Sequence, residues 1–359
     1  MHQAADGLLA RVRLPGGVVS AAQLRELAAC AEELGSGVIE LTSRANVQVR
    51  GLPAAGAGTF AERIAAAGLL PSVTHERVRN IVASPFGDRD AVAALDEALC
   101  ARPALAELPG RFLFALGDVG LELEADVTCS GGRLLLAGRD AGLDVHPDTA
   151  VPLMLDAAEA FLRLRDTEWR IAEIADGPGR IAALLGGEPG GGAEGSGAAG
   201  AVRLADGPPE RRVGVLHLPG GRTAVQALIP LGRLTPGQAR ALAAAAESAA
   251  EVRLTPWRTA VLPDVAPARA ADLAAGLAAR GLVTDPGSPW TGVSACTGSP
   301  GCAKSLADVR ADATRWVLAR DAAPDTPVHW AGCARRCGLP RGRVVSMTAT
   351  GDGYEERQP

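Results

Sequence analysis

Apolar and polar residues alternate at the start of the chain, where Ala10, Val12 and Leu14 interleave with Arg11 and Arg13. A period of two is the mark of a strand with one face on a core. A second alternation runs through Leu41–Arg50. Leu41, Ser43, Ala45, Val47 and Val49 share one face, and Thr42, Arg44, Asn46, Gln48 and Arg50 share the other, so a strand is predicted along this stretch. Between the two alternations the spacing becomes helical, behind Ser20-Ala21-Ala22-Gln23, with Ser20 suited to an N-cap.

The same succession is written a second time. Ile229-Pro230 matches Leu14-Pro15, and Thr235-Pro236-Gly237-Gln238 opens a similar helix with Pro236 at its first position. Val252-Arg253-Leu254-Thr255 then answers Val38-Ile39-Glu40-Leu41-Thr42. Further on, Leu277-Ala278-Ala279-Arg280-Gly281-Leu282-Val283 resembles Ile64-Ala65-Ala66-Ala67-Gly68-Leu69-Leu70. The pairs Leu41/Leu254 and Gly68/Gly281 stand at one common offset, 213 residues. Helices rich in Ala can match by chance; a strand, a cap and a turn matching together mark an internal repeat. Each copy reads as strand, helix, strand, helix, followed by a further α/β segment. Between the copies, residues 186–209 are rich in Gly, Ala and Pro and read as a flexible connector. A phosphate loop is the poorer reading, because no Lys-Ser/Thr follows the glycines.

The 359 residues, 47% of them apolar, allow two or three domains with a sizeable core. With few aromatics, that core is built from Leu, Val, Ile and Ala. A net charge of −5 gives no global reason to expect nucleic acid or an anionic membrane as partner. No secretory signal is expected from Met1-His2-Gln3-Ala4-Ala5-Asp6, and no stretch has the roughly 18 apolar residues of a spanning helix. The run Ala239–Ala250 carries Arg240 and Glu247 and reads as an amphipathic helix. Seven cysteines, an odd number in a chain of this length, speak against a secreted disulfide framework and for a reducing cytoplasm. Of these, Cys30, Cys100 and Cys129 stand alone, and apolar packing is expected for them.

The other four are paired. Cys296-Thr297-Gly298-Ser299-Pro300-Gly301-Cys302 is C-x5-C, and Cys333-Ala334-Arg335-Arg336-Cys337 is C-x3-C. Four thiolates from two segments suit an iron–sulfur cube, whose iron prefers soft sulfur ligands. Gly298, Gly301, Gly332 and Gly338 would let backbone N–H groups approach its sulfides. Structural zinc usually spaces its cysteines more tightly than x5, and four unrelated buried cysteines would not gather beside glycines. The two basic strand faces could cradle a polycarboxylate through bidentate Arg bonds; a solvated sheet face is the bland alternative. The second copy favours the cradle. It carries Val225, Ala227 and Ile229 in the corresponding strand and Trp257 at the offset of Arg44, whereas the first copy has Ser84-Pro85-Phe86-Gly87 where the second has Ser299-Pro300-Gly301-Cys302. One half thus holds arginines and the other thiols, as expected of a ligand sandwiched between them.

These residues together resemble the siroheme-type nitrite and sulfite reductases and their relatives, the precorrin-3B synthases. The resemblance rests on Arg11-Val12-Arg13-Leu14-Pro15-Gly16-Gly17, Leu41-Thr42-Ser43-Arg44-Ala45-Asn46-Val47-Gln48, Arg77-Val78-Arg79-Asn80 and the four cysteines. It implies a duplicated α/β (α+β) architecture: two ferredoxin-like half-domains plus two larger α/β lobes. On this chain the division is 1–70 for the first half-domain, 71–185 for the first lobe and 186–209 for the connector. The second half-domain is then 210–285, and 286–359 is the lobe carrying the cysteines. The resemblance further implies a [4Fe–4S] cluster on Cys296, Cys302, Cys333 and Cys337 beside a tetrapyrrole cleft lined by Arg11, Arg13, Arg44, Asn46 and Gln48. Arg79 would match an anion-binding arginine of the reductases. Their pair of lysines falls at Arg111 and Leu113, so one cation is replaced and the other lost, which weakens the reading as an anion reductase.

The stretches Leu108-Pro109-Gly110-Arg111-Phe112-Leu113-Phe114-Ala115 and Gly332-Cys333-Ala334-Arg335-Arg336-Cys337 look more like the precorrin-3B synthases. Those enzymes use O2 to hydroxylate precorrin-3A and close a γ-lactone on it, in the oxygen-dependent route to cobalamin. The implied partners are therefore this tetrapyrrole, O2 and an external electron donor, because the chain has no nucleotide-binding fingerprint. Arg79 and Arg111 would act at the reacting edge. The resemblance also allows a mononuclear non-haem iron, for which His2, His75, His146, His217 and His329 offer no two-His-one-carboxylate spacing. Two alternatives stand: a siroheme nitrite or sulfite reductase, with Cys337 bridging cluster and haem, and a non-catalytic iron–sulfur carrier.

Overall fold

The computed structural model describes residues 1–117, 119, 123–187, 212–247 and 251–359. The expected connector lies outside them, apart from Gly186 and Gly187. Two compact units emerge: Met1–Val12, Val19–Leu69 and Leu204–Pro359 in one, Arg13–Val18 and Leu70–Arg203 in the other.

In the first unit the opening copy runs β1 (His2–Ala4), β2 (Gly7–Val12), β3 (Val18–Val19), α1 (Ala21–Leu34), β4 (Ile39–Leu41), β5 (Val47–Leu52) and α2 (Ala57–Ala66). Ser20 caps α1 as expected. Its hydroxyl accepts from the Gln23 N–H while the Gln23 amide accepts from the Ser20 N–H, so two of the orphan donors at the helix start are satisfied.

The predicted strand through Leu41–Arg50 is instead a hairpin. The Thr42 N–H donates to the Asn46 carbonyl at 2.8 Å, and Ala45 adopts φ 58°. The Thr42 hydroxyl accepts from the N–H groups of Arg44 (3.3 Å) and Asn46 (3.1 Å). A side-chain oxygen that satisfies two amides in this way stabilises the reversal, and a period of two is blind to it because both arms keep the alternation.

The second unit is a sheet of β6 (Ile81–Ala83), β7 (Phe114–Leu116), β8 (Val127–Ser130), β9 (Arg133–Leu136) and β10 (Arg139–Asp144), parallel over its first three strands. It packs with α3 (Arg89–Cys100), α4 (Pro147–Leu164) and α5 (Gly177–Leu184) around Phe112, Phe114 and Phe161.

The second copy, back in the first unit, runs β11 (Gly214–His217), β12 (Thr223–Leu228), β13 (Arg233–Leu234), α6 (Pro236–Ala246), β14 (Val252–Leu254), β15 (Thr259–Leu262) and α7 (Pro267–Ala278). It reproduces the first in detail. Thr235 and Gln238 form the same reciprocal cap. The Gln23 amide reaches the Ala67 carbonyl and the Gln238 amide those of Arg280 and Gly281. Arg258 takes the left-handed place of Ala45, at φ 62°.

One register in the sequence reading needs correction. Gly17 closes a turn on Leu14 as Gly232 does on Ile229, and Arg11 opposes Gln48 as Gln226 opposes Val261. The second-copy residues at Arg11 and Arg13 are therefore Gln226 and Leu228, not Val225, Ala227 and Ile229. The extra offset sits between the cap and the hairpin, where the eye has no motif to hold.

The copies embrace one another. Sheet order is β1-β2-β5-β4-β13 in one and β11-β12-β15-β14-β3 in the other, so each borrows a short strand from its partner copy. Helices α1 and α6 pack together, and Arg25 pairs with Glu247 as Arg240 pairs with Glu32. That reciprocity is the mark of an isologous, twofold-like interface inside one chain. These ion pairs are exposed and screened by solvent, so they add little to stability. The buried stripes Leu24, Leu27, Ala28, Ala31 and Ala239, Leu242, Ala243, Ala246 supply the attraction.

A sheet of β16 (Val293–Ala295), β17 (Val328–Ala331), β18 (Val345–Thr350) and β19 (Gly353–Arg357), with α8 (Val309–Leu318), completes the first unit. Its core gathers Trp316, Trp330 and Tyr354.

Candidate functional site: two cysteine loops and a polar sheet face

Strands β16 and β17 are adjacent and parallel, and each cysteine pair leaves from a C-terminal end. Cys296 follows Ala295 directly and donates its N–H to the Trp330 carbonyl at 2.9 Å; Gly332 and Cys333 follow Ala331. Ligand sites of open α/β sheets form at this edge. The Gly332 N–H donates to the Cys296 sulfur at 3.2 Å. A Cβ on Gly332 would stand 1.9 Å from the Ser305 hydroxyl, so only glycine fits there. Gly298 (φ 70°), Arg336 (φ 45°) and Gly338 (φ 80°) turn the two loops in left-handed steps.

Burial raises the Cys337 thiol above its ordinary value, and the neighbouring thiols of Cys296, Cys333 and Cys302 raise it further; Arg335 works the other way. The other three cysteines of the set thus all act on Cys337. Among the described residues no three His, Cys, Asp or Glu side chains could hold a single metal ion. A four-iron cube takes one thiolate per iron, so its ligands surround it instead of meeting. Four thiols at two neighbouring strand ends, with an N–H already aimed at one sulfur, fit such a group.

The polar face of the first-copy sheet lies on the same unit. The register sets Arg11 against Gln48, Gln48 against Glu40, and Glu40 against Arg233, a polar row across four strands. Arg50 extends that face. It holds Asp6 with two bonds of 2.9 and 2.8 Å and donates to the Gly301 carbonyl at 2.6 Å, tying β5 to the loop of Cys302. Buried Glu40 accepts from Arg310 at 2.5 Å, a second tie from the sheet to the cysteine lobe. Part of the basic face is thus spent on structure. Arg11 remains exposed, Gln48 half-buried, Arg44 half-buried in the hairpin turn, and Asn46 buried at its end.

Behind Cys337 lies a second polar group. His329 on β17 is wholly buried and shares a hydrogen bond of 2.9 Å with the Ser294 hydroxyl. Burial and the nearby Arg258 charge hold it down to about 4, so it is neutral. Burial, then Arg310, works against the charge on Arg258 itself. Sequence reasoning missed Asp6, Arg50, Arg310, Arg258 and His329. Arg50 lay on the predicted polar face and could have been found from it. The others carry no local signal.

The remaining expected site residues belong to the second unit. Arg13, buried, donates to the Asn80 side-chain oxygen at 2.7 Å and to the carbonyls of Glu76 and Arg77. Arg79, also buried, forms a bidentate pair with Asp96 at 2.7 and 2.6 Å. Arg111 is exposed, and Leu113 is packed into the core at 2% exposure. Of the three lone cysteines, Cys30 of the first unit is buried, and Cys100 and Cys129 of the second are half-buried.

The duplicated half-domains have a counterpart among known families. Residues 2–67 and 217–280 each match the nitrite/sulfite reductase ferredoxin-like half domain, and the chain is built on two copies of it. Particular relatives follow. The chain is 28% identical to a precorrin-3B synthase of Sinorhizobium sp, over 98% of this chain and 79% of that one. It is 26% identical to the ferredoxin–nitrite reductase of Synechococcus elongatus, over 93% of this chain and 74% of that one. Among solved structures it superposes on the NirA protein of Mycobacterium tuberculosis with a TM-score of 0.74, covering 97% of this chain and 73% of that one at 22% identity. That last likeness speaks for the fold. Among the described residues no helix is long and apolar enough to cross a membrane.

Proposed function

We propose that this chain is a cytoplasmic oxidoreductase of the precorrin-3B synthase type. It would use O2 and electrons from an external donor to hydroxylate precorrin-3A and close a γ-lactone on it. Cys296, Cys302, Cys333 and Cys337 would hold a [4Fe–4S] cluster, which when bound would relay electrons singly from the donor. The fit rests on the two cysteine loops and on the Gly332 N–H bonded to a ligand sulfur.

The chain's own residues would do the rest. Arg11, Arg44, Asn46 and Gln48 would bind and orient the carboxylates of the tetrapyrrole, with charge-assisted bonds of about 1.5–3 kcal/mol each. Arg50 and Arg310 would keep that face in register with the cysteine loops. By the resemblance, Arg13 would also line the cleft and Arg79 and Arg111 would act at the reacting edge; Arg13 is bonded to Asn80 and Arg79 to Asp96, and Arg111 is exposed.

One observation carries the choice between the two kinds of relative. Leu113 stands where the resemblance puts the second lysine of the reductases, and it is sealed in a core, its N–H held by Asp126 at 2.9 Å. No cation can be offered from there to sulfite or nitrite. The similarity to a ferredoxin–nitrite reductase supports the second reading, a siroheme reductase. Anaerobically reconstituted chain mixed with precorrin-3A, reductant and then O2 should give the hydroxylated lactone. Stoichiometric siroheme in the purified chain, with no lactone formed, would favour the reductase.

A further inference from the structure

We propose that Arg258 is a counter-charge of the cluster: its guanidinium, delivered by the second copy's hairpin turn, makes the cluster easier to reduce. The inference rests on the reading of the four cysteines above and deepens it.

The argument begins with the turn. Arg258 occupies the left-handed position of the β14–β15 hairpin at φ 62°, closed by Thr255 N–H to Thr259 O at 2.9 Å and Arg258 N–H to Thr255 O at 3.1 Å. The first copy has the same turn with Ala45 at φ 58°. A large side chain is strained in this conformation, and Ala45 shows that the turn does not need one. The side chain then runs over Gly232, where an added Cβ would lie 2.9 Å from both Cγ and Cδ of Arg258. Gly232 is itself left-handed at φ 68°. A glycine notch therefore opens the route.

At the far end Nη2 lies 3.5 Å from where a Cβ on Gly338 would stand, and the His329 ring flanks the same point. Gly338 follows Cys337. Among the described residues no carboxylate pairs with Arg258, and the hydrogen bond of its guanidinium is a long one, 3.5 Å to the Pro256 carbonyl. Arg310, a like charge, is already committed to Glu40. A half-buried cation without an anion is costly. Four thiolates round an iron–sulfur cube carry net negative charge, and accepting one electron from the external donor adds another. A fixed positive charge at Gly338, the residue after Cys337, would stabilise the reduced form more than the oxidised, raising the potential, which depends on net charge around the cluster.

The test uses the full chain, reconstituted anaerobically, and reads iron, acid-labile sulfide and midpoint potential. Arg258→Ala, which the Ala45 turn shows to be accommodated, should keep iron and sulfide at the unsubstituted level and shift the potential downward. Arg258→Lys should recover most of the shift. Should Arg258→Ala lose the cluster, Arg258→Gln against Arg258→Lys decides by the same difference. Equal potentials in chains with intact clusters overturn the inference alone. An unsubstituted chain that takes up no iron ends the cluster reading, and the inference with it.

Discussion

Cys30 and Cys337 are the same chemical group in opposite settings. Cys30 sits on the buried stripe of α1 with its sulfur 3.5 Å from the Glu26 carboxylate. Burial, aided by Glu26 and opposed by Arg63, pushes its thiol from 9.0 up to about 11. A raised folded-state value means that the fold holds the proton more tightly than the unfolded chain does. The resulting stability is present in full below pH 9 and is lost as pH rises through 11. The unfolding midpoint should therefore fall between pH 9 and 11, and Cys30→Ala should flatten that fall. Rapid alkylation of Cys30 at pH 8 in the folded chain would contradict its enclosure. Burial was legible for Cys30 because it stands among apolar residues at helical spacing; its contact with Glu26 was not. Asp6, as the partner of Arg50, was not legible, since no spacing in the chain marks a contact between positions 44 residues apart.

At the scale of elements, the sequence disclosed what is local. Both helix caps, Pro236 at the start of α6 and the paired helices follow from a few neighbouring residues each. The hairpin at Thr42–Asn46 did not, because alternation looks the same on both sides of a turn. The exchange of β3 and β13 between sheets is equally silent: two-residue strands have no period. Arg50 shows what such long-range contacts achieve. It is almost enclosed, its side chain 7% exposed, and joins Asp6 to the Gly301 carbonyl. Arg50→Met should destabilise the chain by about 3 kcal/mol, the cost of leaving one member of a buried pair behind. It should also loosen the Cys302 loop, lowering iron retention. Urea unfolding and iron analysis of the same preparation check both; an unchanged iron content would confine Arg50 to the sheet.

The whole molecule was legible to the extent that it is repetitive. A duplicated ferredoxin-like design needs its strand, cap and turn to recur, and they recur down to the left-handed residues Ala45 and Arg258. Repetition also exposes what differs. Arg11 and Arg50 belong to the first copy and Arg258 to the second, while the cysteines occupy the sheet that follows the second copy, and Arg50 and Arg310 fasten that sheet to the first. The account depends on those four sulfurs sharing one cluster. Its most direct test is the iron and acid-labile sulfide content of the anaerobically reconstituted chain, beside the four single Cys→Ala variants at 296, 302, 333 and 337. About four of each per chain, falling sharply in every variant, is the predicted result. Zinc in place of iron, or a variant at any of the four positions that keeps the full complement, would contradict it.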